Sequence, residues 1–315
     1  MKCSKCQAEA IYFAKYNGLY LCRQHFNEMI EKRVKREIRK QIDLKKPTVR
    51  ISVAISGGKD SSVTLYLLHK ILSGRRNVKL TAFTVDEGIN GYRPAGLESA
   101  SKLAKMLGVE HHVIAFQESF GMTLDSIVSA DQSRIPCSYC GPLRRKLINE
   151  MAERQNADYV ALGLNLDDYS QSILMNVAKG DYERFMRMSP QTEMKDGLVR
   201  RIAPLRSILE KEVVLYAVAN SIPFDSSWCP YYSRAQRNIF RDVINRLSEY
   251  NPSTKFSMLK FFDKARSQKG GDDVKELHRC KVCGAPTEND ICSACLAIDN
   301  LSHEAPIVRN EARIH

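Results

Sequence analysis

The chain has 315 residues, of which 43% are hydrophobic, so it can bury the core of one full α/β domain with small additions. Its net charge of +12 favours a polyanionic partner, because clustered lysine and arginine side chains displace counterions from phosphates. No stretch approaches the roughly 18 continuous apolar residues of a membrane span, and the start lacks the apolar core of a secretory signal, so we expect a globular, cytoplasmic protein without a membrane partner.

The ten cysteines fall into three sets along the chain, and this arrangement is typical of metal sites. The alternative is a disulfide framework. Close Cys-x-x-Cys pairs in an intracellular chain are more often metal ligands or redox pairs, so we favour metal binding.

The first set predicts a zinc site. Cys3-x-x-Cys6 is followed, after fifteen intervening residues, by Cys22-x-x-His25. This spacing is able to bring four ligands around one tetrahedral ion. In the alternative, His25 only opens the next helix and another group completes the site.

A helix is predicted next, because apolar residues recur at every fourth position from Phe26 to Ile42. Basic residues between Lys32 and Lys40 lie on its other faces, which contact either solvent or a nucleic acid. Pro47 ends this element, so residues 1–46 are predicted to form a zinc ribbon with a basic helix.

The middle of the chain predicts an α/β fold. The β-branched segment from Val49 to Ile55 runs into a glycine turn and then an apolar-periodic run, which is the order strand, turn, helix. Further strands are expected near Leu80 to Val85, His112 to Phe116 and Tyr159 to Gly163. A helix is expected through Leu97 to Leu107. This alternation predicts a doubly wound, mostly parallel sheet, with ligands beyond the carboxyl ends of its strands.

The glycine turn predicts a pyrophosphate site. Its sequence is Ser56-Gly57-Gly58-Lys59-Asp60-Ser61, in which the glycines let several N–H groups face one anion at the start of a helix. The turn departs from the Walker pattern, which disfavours γ-phosphate transfer. It resembles the PP-loop of the ATP pyrophosphatases, which split ATP between its α- and β-phosphates and adenylate a substrate oxygen.

The PP-loop resemblance implies roles for individual side chains. Asp60 would position Mg²⁺. The departing pyrophosphate of ATP would be held by Lys59 and by the hydroxyls of Ser56, Ser61 and Ser62.

A second family-like stretch, Gly163-Leu164-Asn165-Leu166-Asp167-Asp168, follows the fourth predicted strand, where the nucleotide is expected. We predict that Gly163 and Asp167 bind ATP and that the paired carboxylates hold Mg²⁺ or orient the substrate. The alternative for one of the two aspartates is to cap the following helix.

The middle cysteines are three in number. Cys137 and Cys140 precede a basic helix start, and Cys229 follows much later. A structural zinc site needs four ligands, whereas a 4Fe–4S cluster held by three thiolates leaves one iron open to an exogenous ligand such as sulfide. The alternative is a sulfur relay, in which one cysteine carries a persulfide and a second attacks it to form a disulfide.

The last cysteine set predicts a second zinc ribbon, with four thiolate ligands in Cys280-x-x-Cys283 and Cys292-x-x-Cys295. The stretch from Ser267 to Asp273 is predicted to be a linker. We therefore divide the rest of the chain into a PP-loop ATP-binding domain with the iron–sulfur site, residues 47–266, and a C-terminal zinc ribbon with a tail, residues 267–315.

Together, the PP-loop, the three middle cysteines and the terminal ribbons resemble the tRNA 2-thiouridine synthetases of the TtuA and archaeal NcsA group, relatives of the eukaryotic cytosolic wobble-uridine thiolases. The resemblance implies that Cys137, Cys140 and Cys229 bind an oxygen-sensitive cluster and that Asp168 lies in the catalytic site. It also implies a catalytic role for Arg144, where some relatives carry lysine. Because arginine stays protonated, it suits a phosphate clamp or an oxyanion partner better than a general base.

The implied reaction is 2-thiolation of a tRNA uridine, which we expect to be the wobble uridine. The C2 oxygen would attack the α-phosphate of ATP, pyrophosphate would leave, sulfide from the cluster's open iron would attack C2, and AMP would leave. The base must be exposed for this chemistry, which suits an anticodon loop. The alternatives are thiolation of the T-loop uridine, thiocytidine synthesis by a PP-loop enzyme, and a non-catalytic zinc-ribbon protein that binds nucleic acid.

The expected ligands are ATP, Mg²⁺, one 4Fe–4S cluster and two zinc ions. The expected partners are tRNA, a sulfur donor that is either free sulfide or a ubiquitin-like sulfur carrier protein, and a second copy of the chain in a homodimer. The basic residues that would grip tRNA are Arg144, Arg145, Lys146, Arg184, Arg187, Arg200 and Arg201.

Overall fold

The computed structural model describes residues 1–188, 190, 197–234, 236–268 and 277–302. Most of the predicted linker and the whole C-terminal tail lie outside these residues. The first two linker positions, Ser267 and Gln268, belong to a helix, so the linker prediction starts too early there. Within the described ranges, no helix combines the length and apolar character needed to cross a membrane.

The strands alternate with helices through the middle of the chain. They are β1 (Tyr12–Ala14), β2 (Leu19–Leu21), β3 (Val49–Ala54), β4 (Val78–Asp86), β5 (Glu110–Ala115), β6 (Tyr159–Leu162), β7 (Arg200–Ile202), β8 (His278–Arg279) and β9 (Pro286–Thr287). The helices are α1 (Arg23–Gln41), α2 (Lys59–Leu72), α3 (Arg93–Leu107), α4 (Phe116–Phe120), α5 (Leu124–Ala130), α6 (Pro136–Arg154), α7 (Leu166–Ala178), α8 (Tyr182–Met186), α9 (Glu210–Ala219), α10 (Arg237–Tyr250), α11 (Thr254–Gln268) and α12 (Ser293–Ser302).

The central sheet has the order β5-β4-β3-β6-β7, and every neighbouring pair is parallel. The predicted doubly wound parallel sheet is therefore confirmed. From β3 the chain adds β4 and β5 on one side and then β6 and β7 on the other. The loops that follow β3 and β6 consequently lie side by side at the carboxyl edge, which is the usual ligand position in such sheets.

One face of the sheet is covered by α1, α2 and α9. The apolar stripe of α1, which includes Phe26, Ile30 and Val34, belongs to the same hydrophobic cluster as Ile51 and Val53 of β3. The predicted helix after the first cysteine set is thus confirmed, and it packs in the core of the α/β domain. The proposed domain boundary after residue 46 stays a prediction.

The opposite face is covered by α6, and the C-terminal cysteine ribbon packs on this helix. Leu143 and Leu147 of α6 belong to one hydrophobic cluster with Ala297 and Leu301 of α12 and with the ribbon's buried cysteines. Helix α6 also carries Cys137 and Cys140. The C-terminal ribbon therefore packs directly on the helix that presents two of the three middle thiols.

Candidate active site

A cavity of about 470 Å³ opens at the carboxyl ends of the central strands. Its floor is apolar and includes Phe83, Val85 and Leu162. Its polar walls come from the loop after β3, from the ends of β4 and β6, from α6 and from β7: Ser56, Gly58, Asp60, Ser61, Glu87, Arg144, Arg145, Gly163 and Arg201. One space thus joins the predicted phosphate loop to the helix that carries the thiols.

The loop after β3 has the backbone of an anion cradle. Gly57 adopts a φ of +85°, and a Cβ there would lie 1.9 Å from the carbonyl oxygen of Gly96. Helix α2 begins directly after Gly58, and no side chain caps its N-terminus. Its first N–H groups are therefore available to an anion, and the donor set fits the pyrophosphate of ATP.

The serines of the loop divide into two groups. The Ser61 hydroxyl accepts a hydrogen bond from the Ser56 N–H at 3.0 Å and donates one to the Gly58 carbonyl at 3.0 Å, which holds the turn in shape. The Ser62 side chain is fully buried, and its hydroxyl has no hydrogen-bond partner among the described residues. Because Ser62 lies outside the cavity lining, its contact with ATP stays a prediction.

Charged side chains of both signs meet beside the loop. The Lys59 Nζ lies 3.0 Å from Asp60 Oδ2 and 2.8 Å from Glu210 Oε1. Asn165 Nδ2 donates to Asp60 Oδ1 at 2.9 Å. Burial raises the pKa of Asp60, against the opposing effects of Lys59 and Asn165. Such a carboxylate group, with its oxygen donors, fits a hard divalent cation.

Asp168 joins this cluster from the first turn of α7. Its Oδ2 accepts from the Asn165 N–H at 3.1 Å, and its Oδ1 lies 3.3 Å from an Arg237 nitrogen. Burial raises the pKa of Asp168 to about 6, with Arg237 opposing and Asp60 adding to the rise. The N-cap residue of α7 is Asn165, and Asp168 completes a capping box with it, so one of the two aspartates does take part in capping this helix.

Asp167 turns away from the phosphate loop. Its Oδ1 pairs with the buried Lys255, and its Oδ2 accepts from the Glu210 N–H at 2.8 Å. These contacts tie α7 to α11 and to the start of α9. An ATP contact for Asp167 stays a prediction.

Gly163 brings the end of β6 against the phosphate loop. A Cβ on this residue would lie 2.6 Å from the backbone nitrogen of Ser61 and 2.8 Å from the carbonyl carbon of Asp60. Real Cβ atoms do not approach backbone atoms so closely, so only glycine fits here.

The three middle thiols lie in one neighbourhood. Burial raises the pKa of Cys140 to about 12; Arg144 opposes this rise, and the charges of Cys137 and Cys229 add to it. Their sulfur atoms do not form a set within 4.8 Å of one another, in contrast to the two four-ligand sets at the ends of the chain. The three thiols therefore do not form the four-ligand set of a structural zinc ion, whereas a 4Fe–4S cluster can be held by three thiolates.

Arg144 is connected to Arg93 and to the phosphate loop through Glu87, which the sequence did not single out. Arg144 lies 3.6 Å from Glu87 Oε1, while Arg93 Nε lies 2.9 Å from Glu87 Oε2 at an angle too poor for a hydrogen bond. Arg93 also donates to the Ser56 carbonyl at 3.2 Å. The position of Glu87, directly after a predicted strand, was the available signal in the sequence.

The structure brings the four residues of the first cysteine set together. His25 Nδ1 lies 3.3 Å from Cys3 Sγ and 3.4 Å from Cys22 Sγ. Cys6 Sγ and Cys22 Sγ are 3.7 Å apart. This separation is that of two ligands each about 2.3 Å from one tetrahedral zinc.

The last cysteine set has the same geometry. Cys283 Sγ and Cys292 Sγ are 3.7 Å apart, and the Cys292 N–H donates to Cys280 Sγ at 3.3 Å. Although burial opposes it, backbone donors led by Cys292 lower the pKa of Cys280 to about 6, which favours the thiolate form that binds metals.

Comparisons with known proteins agree with this geometry. A family model described as "PP-loop domain" matches residues 26–247, and one described as "2-thiouridine synthetase TtuA, N-terminal LIM domain" matches residues 2–27. A probable sulfurtransferase of Methanocaldococcus jannaschii is 39% identical, over 94% of this chain and 86% of that protein. The tRNA-5-methyluridine(54) 2-sulfurtransferase of Pyrococcus horikoshii is 33% identical, over 94% and 93%.

A solved structure resembles the chain over nearly its whole length. It is the U34-tRNA thiolase NcsA of Methanococcus maripaludis with its [4Fe-4S] cluster, which is 32% identical with a TM-score of 0.81. The match covers 96% of both chains.

Proposed function

The chain belongs to the TtuA and NcsA family of PP-loop tRNA thiolases, and on that basis we propose that it replaces the C2 oxygen of a tRNA uridine with sulfur, using ATP. The reaction class is an ATP-dependent tRNA-uridine 2-sulfurtransferase that forms AMP and pyrophosphate. The observation that carries this proposal is the single cavity lined both by the PP-loop and by Arg144 of the thiol-bearing helix α6.

The loop residues act on ATP. The uncapped N–H groups at the start of α2 and the cationic Lys59 would bind the departing pyrophosphate, whose negative charge grows as the bond to the α-phosphate breaks. Asp60 and Asp168 would hold Mg²⁺ beside it. Asn165 orients both carboxylates, since its side chain donates to Asp60 and its backbone N–H donates to Asp168.

Arg144 faces the same cavity from the opposite wall. Its guanidinium is always protonated, and the neighbouring Cys140 and Glu87 raise its pKa further against the effect of burial. It would stabilise negative charge on the activated base or on the α-phosphate rather than move a proton. Glu87, held by Arg93, orients it.

The three middle thiols would hold a 4Fe–4S cluster, which supplies an open iron that carries sulfide when it is bound. For this, Cys140 must lose its proton from a site that favours the thiol. The sulfur source would be free sulfide or a ubiquitin-like sulfur carrier protein. The persulfide relay through these cysteines is the alternative.

The remaining assignments complete the proposal. The two terminal ribbons would each hold one zinc ion. The tRNA backbone would contact Arg145, Arg184, Arg187 and Arg201, which line another cavity, of about 490 Å³, between α6 and the C-terminal ribbon. The exposed apolar side chains of Ile239, Val243 and Leu247 on one stripe of α10 support a homodimer. A tRNA substrate implies a cytoplasmic location.

We favour the wobble uridine as the target. The solved structure with a TM-score of 0.81 is a U34-tRNA thiolase. The T-loop uridine is the second candidate, because a relative of 33% identity carries a name that specifies uridine 54.

The test is an anaerobic thiolation assay. Reconstituted protein is incubated with Mg-ATP, sodium sulfide and unmodified tRNA transcripts, and 2-thiouridine is measured by nucleoside mass spectrometry and mercury-gel retardation. Transcripts with cytidine at the wobble position or at the T-loop position identify the target. We expect only the wobble replacement to abolish the product.

Lys59→Ala separates catalysis from RNA binding. The Lys59 ammonium pairs with Asp60 and Glu210 beside the phosphate loop, where ATP is expected. This variant should therefore bind tRNA normally and thiolate it about 10²–10³-fold more slowly. Full activity in the variant would contradict PP-loop chemistry. For the wild-type protein, thiocytidine as the product would favour the thiocytidine synthetases, and tRNA binding without any product would favour a non-catalytic binding protein.

A further inference from the structure

One exposed aromatic side chain beside the thiols has no role in the chemistry described so far. Trp228 is 65% exposed and is the only tryptophan of the chain. A single exposed apolar side chain needs no explanation by itself, but tryptophan is enriched at contact surfaces, and this one lies next to the site.

The position of Trp228 is set by contacts on both sides of it. Three residues earlier, Asp225 is joined to the phosphate loop, because its N–H donates to the Gly57 carbonyl at 2.8 Å. The next residue, Cys229, is one of the three middle thiols. Trp228 therefore lies at the rim of the active site, outside the cavity lining itself.

The ring of Trp228 has rigid support. Tyr232 contacts it edge-on, with ring centroids 4.8 Å apart and an interplanar angle of 61°. Tyr232 is itself held by α10, since Asn238 Nδ2 donates to its carbonyl at 3.0 Å and the Arg241 guanidinium lies 5.3 Å from its ring centroid. Trp228 and Tyr232 therefore form one aromatic surface that is held by α10, with the Arg241 guanidinium next to the Tyr232 ring.

We propose that Trp228, supported by Tyr232, is a stacking site for the nucleobase next to the target uridine in the bound tRNA. This inference rests on the proposed function and specifies how its substrate is held. A target base that enters the cavity leaves its neighbour without a stacking partner. An exposed indole at the rim replaces that partner, and Arg241 supplies charge complementary to the RNA backbone.

The single tryptophan makes the test direct. Excited where tyrosine does not absorb, the fluorescence of Trp228 should be quenched when unmodified tRNA is titrated into the protein. Trp228→Ala should weaken tRNA binding about tenfold, or about 1.4 kcal/mol, because the base–aromatic stack is lost. Trp228→Phe should recover most of the affinity, and ATP affinity should stay unchanged in both variants.

Tyr250→Ala is the matched control. Tyr250 is a 95% exposed aromatic side chain at the far end of α10, about 20 Å along the helix from Arg237, which reaches the site. This variant should bind and thiolate tRNA like the wild type.

Two outcomes would overturn the inference: tryptophan fluorescence that does not respond to tRNA binding measured by filter retention, or equal tRNA affinity in Trp228→Ala and the wild type. In either case thiolation by the wild-type protein would leave the proposed function standing. Absence of both tRNA binding and thiolation in the wild type would instead defeat the proposed function.

Discussion

Glycine at position 163 is required by the contact between the end of β6 and the start of α2 rather than by its own φ. A Cβ would lie 2.6 Å from the Ser61 nitrogen, so Gly163→Ala must push β6 away from the start of α2. We expect ATP affinity to fall by at least about tenfold, in line with an overpacking penalty of about 1–3 kcal/mol. Isothermal titration calorimetry with a nonhydrolysable ATP analogue measures it.

Gly74→Ala is the control for this prediction, because no atom lies within 4 Å of the Cβ it would add. It should leave ATP affinity unchanged. Wild-type affinity in Gly163→Ala would mean that the phosphate loop does not depend on the end of β6.

The carboxyl of Asp168 predicts a pH dependence. Burial raises its pKa to about 6, so lowering the pH through this value protonates it and should reduce kcat/KM for ATP in the pyrophosphate-release assay. Arg237 lowers the pKa of Asp168. Arg237→Ala should therefore raise this pKa and move the acid limb of the profile to higher pH.

Arg246→Ala provides the matched control on the same helix, since Arg246 is exposed and shares no contact with Asp168. Its acid limb should coincide with that of the wild type. An acid limb that stays in place in Arg237→Ala would exclude Asp168 as the titrating group.

The sequence predicted the residues of the site better than their orientations. A motif specifies the order of side chains, and Ser56, Gly58, Asp60 and Ser61 do line one cavity, while their contacts with ATP stay a prediction. It does not specify which side chains turn inward. Ser62, which is buried, and Asp167, which pairs with Lys255, depend on helices that pack from distant parts of the chain.

At the scale of elements, α1 and α9 are joined by a buried ion pair. Glu212 is 0% exposed, and it accepts hydrogen bonds from Tyr16 at 2.7 Å and from Arg33 at 3.0 Å. Glu212→Gln leaves the Arg33 charge without its counterion. We expect it to lower the free energy of unfolding by about 3–5 kcal/mol, measured by urea denaturation of the metal-loaded protein.

A double-mutant cycle checks this assignment. Arg33→Met with Glu212→Gln removes both charges, so the double variant should be more stable than the sum of the single losses predicts. Additive losses would show that the two side chains are not energetically coupled.

The elements that the sequence predicted are those with strong local periodicity. The apolar repeat of α1 and the β-branched run of β3 define these elements without tertiary help. Strand β7 was missed because it has only three residues, of which Arg200 and Arg201 suggest a surface loop. It becomes a strand by pairing with β6, and long-range pairing of this kind leaves no local signal.

At the scale of the whole molecule, the two ribbons are not equivalent. The N-terminal ribbon leads into α1 and the hydrophobic cluster on one face of the sheet. The C-terminal ribbon packs on α6, whose first turns carry Cys137 and Cys140, on the other face. Loss of the C-terminal metal should therefore disturb the middle thiols, and loss of the N-terminal metal should not.

Metal analysis of matched variants tests this coupling. Anaerobically purified wild type should contain about four irons and about two zincs per chain. The triple variant Cys137→Ala, Cys140→Ala and Cys229→Ala should lose the iron and keep both zincs. Cys6→Ala and Cys283→Ala each remove one exposed ligand, so each should lose about one zinc.

The variants Cys283→Ala and Cys6→Ala should differ in their iron content. Cys283→Ala removes a ligand of the proposed zinc beside α12, which packs on α6, so the iron content and the thiolation rate should fall while ATP affinity stays near that of the wild type. Cys6→Ala should retain its iron. Equal iron in the two variants would mean that α6 presents its thiols without support from the ribbon, and an iron-free wild type after anaerobic reconstitution would favour the persulfide relay instead.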